Sequence, residues 1–187
     1  MIILSNDIII NKILDTISYL FDINIKNQIN KDSIKYRISA KTKRLKYIYI
    51  DEELFATVRT NGSYALTVYG SQIILNHDKE RRNCVIINND IREYIEKSGS
   101  VFAKHVLNVG KNIFPESEAI IIDEKHNLIA VGKSILSQEM MKKMNKGVRK
   151  SNYGLAYSET LDEHMSYEEI KHDHILIDGE WFHEDAL

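Results

Sequence analysis

Three sets of residues in this chain have types and spacing suited to chemistry on an anion. Lys97-Ser98-Gly99-Ser100 puts two hydroxyls around a glycine, with Lys97 and Lys104 flanking the turn. A glycine lets the backbone turn tightly, and exposed amides with serine hydroxyls and nearby ammonium groups meet a phosphate. Read alone, the same residues also describe a glycine-capped helix end with solvated lysines. Gly132-Lys133 is the second set, because a glycine inside a strand pattern marks close approach of another backbone or of a ligand. Lys142, Lys143, Lys146, Arg149 and Lys150 are the third. One such lysine is surface decoration, whereas the cluster is a candidate for phosphate binding.

Covalent or metal chemistry has little to stand on. Cys84 is the single cysteine and sits among Val85, Ile86 and Ile87, the setting of a small buried strand residue. One thiol forms no internal disulfide and no multi-thiolate metal site. The chain contains no Gly-x-Gly-x-x-Gly loop, Gly-x-Ser-x-Gly elbow or His-Glu-x-x-His helix, so no catalytic set is expected. His164, His172, His174 and His183 crowd the last 24 residues beside Glu169, Asp173 and Glu184. Imidazole and carboxylate suit a divalent transition metal, but the order and spacing match no defined site. Neither a metal nor another cofactor is expected.

The elements that must position these residues follow from periodicity. Asn6 or Asp7 caps a helix whose apolar positions Ile9, Ile10, Ile13, Leu14, Ile17, Leu20 and Phe21 recur every three or four residues. Ile34, Tyr36 and Ile38 alternate with Lys35, Arg37 and Ser39 as in a half-buried strand. Leu45 to Ile50 and Leu54 to Thr60 read as strands, Asn61-Gly62 as a hairpin turn because both residues tolerate positive φ, and Ser63 to Tyr69 as the return strand. The polar Asn76 to Arg82 then marks a boundary. Beyond it, Cys84 to Ile87 reads as a strand and Asn88 or Asn89 as a cap. A short helix with Ile91, Tyr94 and Ile95 inward stops before Gly99. Val101 to Val106 is strand-like, with Phe102 expected in the core and His105 structural. Ala119 to Ile122 and Leu128 to Ile135 are strands joined by a polar turn, and Gln138 to Met144 is a short helix.

The second half carries a resemblance. Arg92-Glu93-Tyr94-Ile95-Glu96-Lys97-Ser98-Gly99-Ser100-Val101-Phe102-Ala103-Lys104-His105-Val106 resembles the opening of a PUA domain, in the version found at the C-terminus of archaeal tRNA-guanine transglycosylases of the archaeosine pathway. Ala119-Ile120-Ile121-Ile122-Asp123, the run Leu128 to Ser137, Glu139-Met140 and Lys146-Gly147-Val148 continue the likeness over about 70 residues. Arg44 to Ile48 and Leu54 to Gly62 are similar to the domain that precedes PUA in those enzymes. Where the family has a final strand of alternating apolar and basic residues, Gly147 to Gly154 offers only Val148 and Tyr153 to a core.

Patterning gives an α+β protein with an N-terminal unit of helix and antiparallel sheet (1–76), charge marks an acidic tail (155–187), and the resemblance implies a small PUA-type β pseudo-barrel between them (77–154). It implies RNA binding through Lys97, Ser98, Gly99, Ser100, Lys104, Gly132, Lys133, Lys146 and Arg149, with the acceptor stem and 3′ end of tRNA as the partner. Duplex RNA is met through its phosphates and 2′-hydroxyls, so such a surface needs cations and close backbone approach more than base-reading groups. The family's catalytic barrel of about 250 residues has no room in residues 1–76, and its zinc site needs more than one cysteine. The chain therefore reads as non-catalytic, an accessory that works with a separate catalytic chain of transglycosylase type. The rival readings are a ribosome-biogenesis or translation factor, and a protein-interaction module that has lost RNA binding.

Charge distribution agrees with a polyanion partner. The chain of 187 residues has a net charge of −2, but residues 155–187 hold ten acids and one lysine. That leaves 24 basic and 17 acidic residues before Leu155, a mildly basic body with an acidic, aromatic-bearing tail. No apolar run is long enough to span a membrane, and the first ten residues lack the basic start of a secretory signal, so a cytoplasmic protein without membrane contact is expected.

Overall fold

The computed structural model describes residues 6–92, 95, 101–145, 154–155, 158–160, 174–177 and 180–183. Helix α1 (Asn6–Phe21) opens the chain and buries Ile10, Ile13, Leu14, Ile17 and Phe21 on one face, as the spacing requires. Strands β1 (Ile34–Ile38), β2 (Leu45–Ile50), β3 (Glu53–Val58) and β4 (Tyr64–Leu66) form an antiparallel sheet in that order. The hairpin between β3 and β4 departs from expectation. Gly62 alone has positive φ, at 86°, and Asn61 does not. The amide of Arg59 donates to Ser63 O (2.8 Å) and that of Gly62 to Arg59 O (2.9 Å). The loop is thus three residues long, a turn followed by a left-handed glycine.

The return strand is also shorter than expected. After Leu66 the chain turns into helix α2 (Val68–His77), so the stretch ending at Tyr69 is not one strand. Thr67 starts the helix, its Oγ1 accepting from Gly70 N at 3.1 Å. Gly70 is required by packing: a Cβ there would lie 2.0 Å from the Phe55 carbonyl oxygen on β3. The polar stretch that follows is well anchored. Asp78 and Asn83 are buried, and Asp78 Oδ2 accepts from Asn83 N (2.8 Å) and Nδ2 (3.0 Å).

The second unit is built on a five-stranded sheet. Its members are β5 (Cys84–Ile87), β7 (Val106–Val109), β8 (Glu118–Ile122), β9 (Leu128–Lys133) and β11 (Ser158–Thr160), lying in the order β11-β9-β8-β5-β7. Strands β5 and β8 are parallel and the other pairs antiparallel. A two-stranded ladder of β6 (Val101–Phe102) with β10 (Gly154–Leu155) completes the small pseudo-barrel. The expected strand Val101 to Val106 is broken by a 3-10 turn at Ala103–His105. This reverses the expected role of Phe102: Val101 and Ala103 are buried, and Phe102 is only half-buried. Ile135 lies beyond the end of β9 and is 51% exposed. Helix α3 (Gln138–Asn145) packs on the 3-10 turn and β7. Asn88 caps the short helical turn Asn89–Ile91, and Ile95 beyond it is buried. A hairpin of β12 (His174–Ile177) and β13 (Glu180–His183) sets His174 opposite His183 in register, while His164 and His172 lie outside the described residues.

Two cores result. One, inside the second unit, joins Val85, Ile87, Ile95, Val101, Val106, Ile113, Ile121, Ile129 and Met141. The other runs from α1 and the first sheet through α2 into Cys84, Ile120, Ile122, Leu128 and Val131. The outer face of the second sheet is thus covered by the N-terminal unit.

Candidate nucleic-acid interface

Lys104 sits on the 3-10 turn between β6 and β7, exposed, with Nζ 5.6 Å from the Phe102 ring centroid. The turn is fixed from beneath by buried Val101, Ala103 and Val106 and from the side by Asn88, whose amide donates to His105 O (3.2 Å). Burial, and then the Lys104 ammonium beside it, hold the His105 imidazole below its ordinary pKa. That agrees with a structural role.

Helix α3 brings further cations to this turn. Gln138 at its start donates from its amide N to Ile113 O (3.1 Å) and from Nε2 to Val109 O (2.7 Å), at the far end of β7. Met141 is buried against Ala103 and Val106, and Lys142 and Lys143 are exposed. The helix that carries the first lysines of the third sequence cluster thus packs on the turn that carries Lys104. At this same end of the sheet, Asp123 closes the β8–β9 turn, accepting from Asn127 N (2.7 Å) and Nδ2 (2.8 Å). Burial acts to raise the Asp123 pKa, but these bonds and the Arg92 guanidinium outweigh it and hold the carboxyl low.

Gly132 and Lys133 are elsewhere. Lys133 is opposite Glu118 at the start of β8, whereas Lys104 precedes Val106, which pairs with Ile87 at the end of β5. Because β5 and β8 run parallel, the two lysines occupy opposite ends of the sheet. Gly132 is buried between Ala119 on β8 and Ser158 on β11, so the close approach it permits is that of neighbouring strands. Lys133 is ion-paired with Glu116. Lys97, Ser98, Gly99, Ser100, Lys146, Arg149 and Lys150 lie outside the described residues.

Beside Lys133 the two units are joined by a contact that sequence patterning did not suggest. Arg59 Nη1, from the β3–β4 loop, donates to Glu118 Oε1 at 2.5 Å, and Leu66 N donates to Glu118 Oε2 at 3.1 Å. Burial raises the Glu118 pKa, and the Arg59 guanidinium counters it. Glu118 stands before the apolar run Ala119 to Ile122 like an ordinary strand-end charge, so nothing local marked it as the partner of Arg59.

Comparison with known proteins matches both units. The model of the PUA domain matches residues 83–153, and that of the patch-forming domain C2 of tRNA-guanine transglycosylase matches residues 11–80. The chain carries a C2 domain followed by a PUA domain. Both are homologous to the C-terminal region of archaeal tRNA-guanine(15) transglycosylases. The enzyme of Thermoplasma acidophilum is 31% identical over 140 residues and that of Thermoplasma volcanium 29% over the same length, each match covering 74% of this chain and 22% of the relative. That of Methanosphaera stadtmanae is 29% identical over 141 residues, 73% of this chain and 21% of the relative. The chain thus spans about a fifth of the length of these relatives, the portion that holds C2 and PUA. Two solved structures share the fold at 15% identity. A hypothetical protein of Pyrococcus horikoshii covers 84% of this chain and 90% of its own, with a TM-score of 0.57. A conserved PUA domain protein of Thermoplasma acidophilum covers 86% and 93%, with a TM-score of 0.56.

PUA domains bind RNA. Among the described residues, no helix is long and apolar enough to cross a membrane.

Proposed function

We propose that this protein is a non-catalytic RNA-binding accessory linked to tRNA base modification, and that its PUA domain grips the acceptor stem and 3′ end of tRNA. The observation that carries this reading is the pairing of a C2 domain with a PUA domain in which the helix carrying exposed Lys142 and Lys143 packs on the turn carrying exposed Lys104. The resemblance adds Lys97, Ser98, Gly99, Ser100, Lys146 and Arg149 to the proposed RNA contacts, in the sequence segments before β6 and after α3. Gly132 and Lys133 lie at the opposite end of the PUA sheet, where Lys133 must leave Glu116 to meet a phosphate.

The test is competition binding by the full chain. Intact tRNA, tRNA trimmed of its 3′ end, and ribosomal RNA fragments of equal length compete for the same labelled tRNA. The proposal requires intact tRNA to compete best and trimming to weaken it; ribosomal fragments that compete better support a ribosomal role instead. Co-purification of a transglycosylase-type catalytic chain would support the accessory role.

A further inference from the structure

The C2 domain carries a concentration of positive charge well apart from the Lys104 turn. From Ser33 to Ile50 the chain holds Lys35, Arg37, Lys41, Lys43, Arg44 and Lys46 and no aspartate or glutamate. Antiparallel pairing of β1 with β2 folds this run back on itself and gathers the six cations on one hairpin. The connecting loop is ordered by its own backbone. Ser39 N donates to Arg44 O and Lys43 N to Ser39 O, both at 2.9 Å, and Thr42 N to Ser39 Oγ at 3.2 Å. It presents Lys41, Lys43 and Arg44, all exposed.

Along the strands the register sets Arg37 opposite Tyr47. The Arg37 Cζ lies 6.0 Å, and the Lys46 Nζ 4.9 Å, from the centroid of that ring. Cation–π attraction therefore holds two charged side chains across the sheet face in a defined place. Lys35 is paired with Glu52, but no carboxylate among the described residues pairs with Arg37, Lys41, Lys43 or Arg44.

Two ordinary uses of surface lysine do not account for this arrangement. An edge strand is protected from mispairing by a charge or two, and β1 is the outer edge of its sheet. Six like charges on one hairpin exceed that need and repel one another. In the sheet β1 is also the edge opposite β4, the strand whose Leu66 meets Glu118 of the PUA domain. Repulsion of this kind is relieved by an anion that spans several of the charges at once.

We propose that the β1–β2 hairpin of the C2 domain is a second contact surface for the phosphate backbone of RNA, with Arg37, Lys41, Lys43 and Arg44 as the contacting cations and Tyr47 as the platform that holds Arg37. The proposal rests on the RNA-binding reading of the PUA domain and turns a single grip into two. Long cationic side chains without paired donor and acceptor groups position a backbone and do not read bases, so the contact is independent of sequence.

The full chain, a tRNA transcript and fluorescence anisotropy over a range of KCl concentrations test it. The variant Lys41→Gln/Lys43→Asn/Arg44→Gln keeps loop polarity, and asparagine suits the positive φ of 56° at position 43. It is compared with Lys104→Glu and with the wild type, all checked for native circular dichroism. The hairpin variant should weaken tRNA binding and flatten the slope of log affinity against log salt by about 3, roughly one for each phosphate that is no longer neutralised. Tyr47→Phe should bind as wild type, and Tyr47→Ala more weakly. If the hairpin variant keeps the wild-type affinity and slope while Lys104→Glu binds more weakly, the hairpin proposal is overturned and the PUA reading stands. If the wild type binds no RNA, both fall.

Discussion

A buried carboxylate needs compensation, and Glu118 obtains it from the neighbouring domain. Burial pushes its pKa above the ordinary 4.5, while the Arg59 guanidinium and the Leu66 amide pull it back. Removing one partner of such a pair costs about 3 kcal/mol. Arg59→Ala should therefore lower the urea unfolding free energy by that amount, with Arg59→Ala/Glu118→Gln recovering part of it. A raised folded-state pKa means stability that is full below 4.5 and lost as pH rises through the folded value. Glu118→Gln should flatten the pH dependence of unfolding in that window; parallel curves for variant and wild type would show that this carboxylate is not the source of it. Cys84 behaves as its apolar neighbours suggested. Burial, and secondarily the Asp78 carboxylate, push its thiol up to about 12. A thiol reagent at neutral pH should label it only after unfolding, and rapid labelling of the native protein would contradict this burial. At this scale the sequence placed Cys84 correctly on a buried strand, whereas Lys104, expected on a strand, stands on a 3-10 turn. It could not pair Arg59 with Glu118, because that contact joins residues 59 positions apart.

Among the elements, α2 shows where periodicity failed and why. It lies between the first sheet and the PUA domain and buries Val68, Gly70, Ser71, Ile74 and Leu75. With so little of it facing water, the apolar positions do not recur at a clean helical spacing, and Val68-Tyr69 looks like the end of a strand. α1 packs on one side only, and its pattern was fully legible. Phe102 departs for a related reason: strict alternation predicts it inward, but the structure breaks the strand at Ala103. The tight seat of α2 leads to a direct test. Gly70→Ala must push the helix off Phe55 and should cost about 1 to 3 kcal/mol, measured by urea denaturation, whereas Ala in place of an unconstrained helical glycine would stabilise. Thr67→Ala, which removes the cap, should cost about 1 kcal/mol.

For the molecule as a whole, one core crosses from the C2 domain into the PUA sheet. The two domains should therefore unfold together. Far-ultraviolet circular dichroism and tyrosine fluorescence should give coincident transitions in urea, and separated midpoints would show that the shared core does not couple them. This coupling holds the PUA turn and the C2 hairpin in a fixed relation, which a two-point grip on RNA requires. Whether the Lys104 turn is where the PUA domain meets RNA is decided by the affinity of the full chain for tRNA at several salt concentrations, wild type against Lys104→Glu. Wild-type binding should weaken steeply with salt, and the variant should bind at least tenfold more weakly at low salt, about 1.4 kcal/mol. Equal affinity of the two proteins for tRNA would place the RNA contact elsewhere.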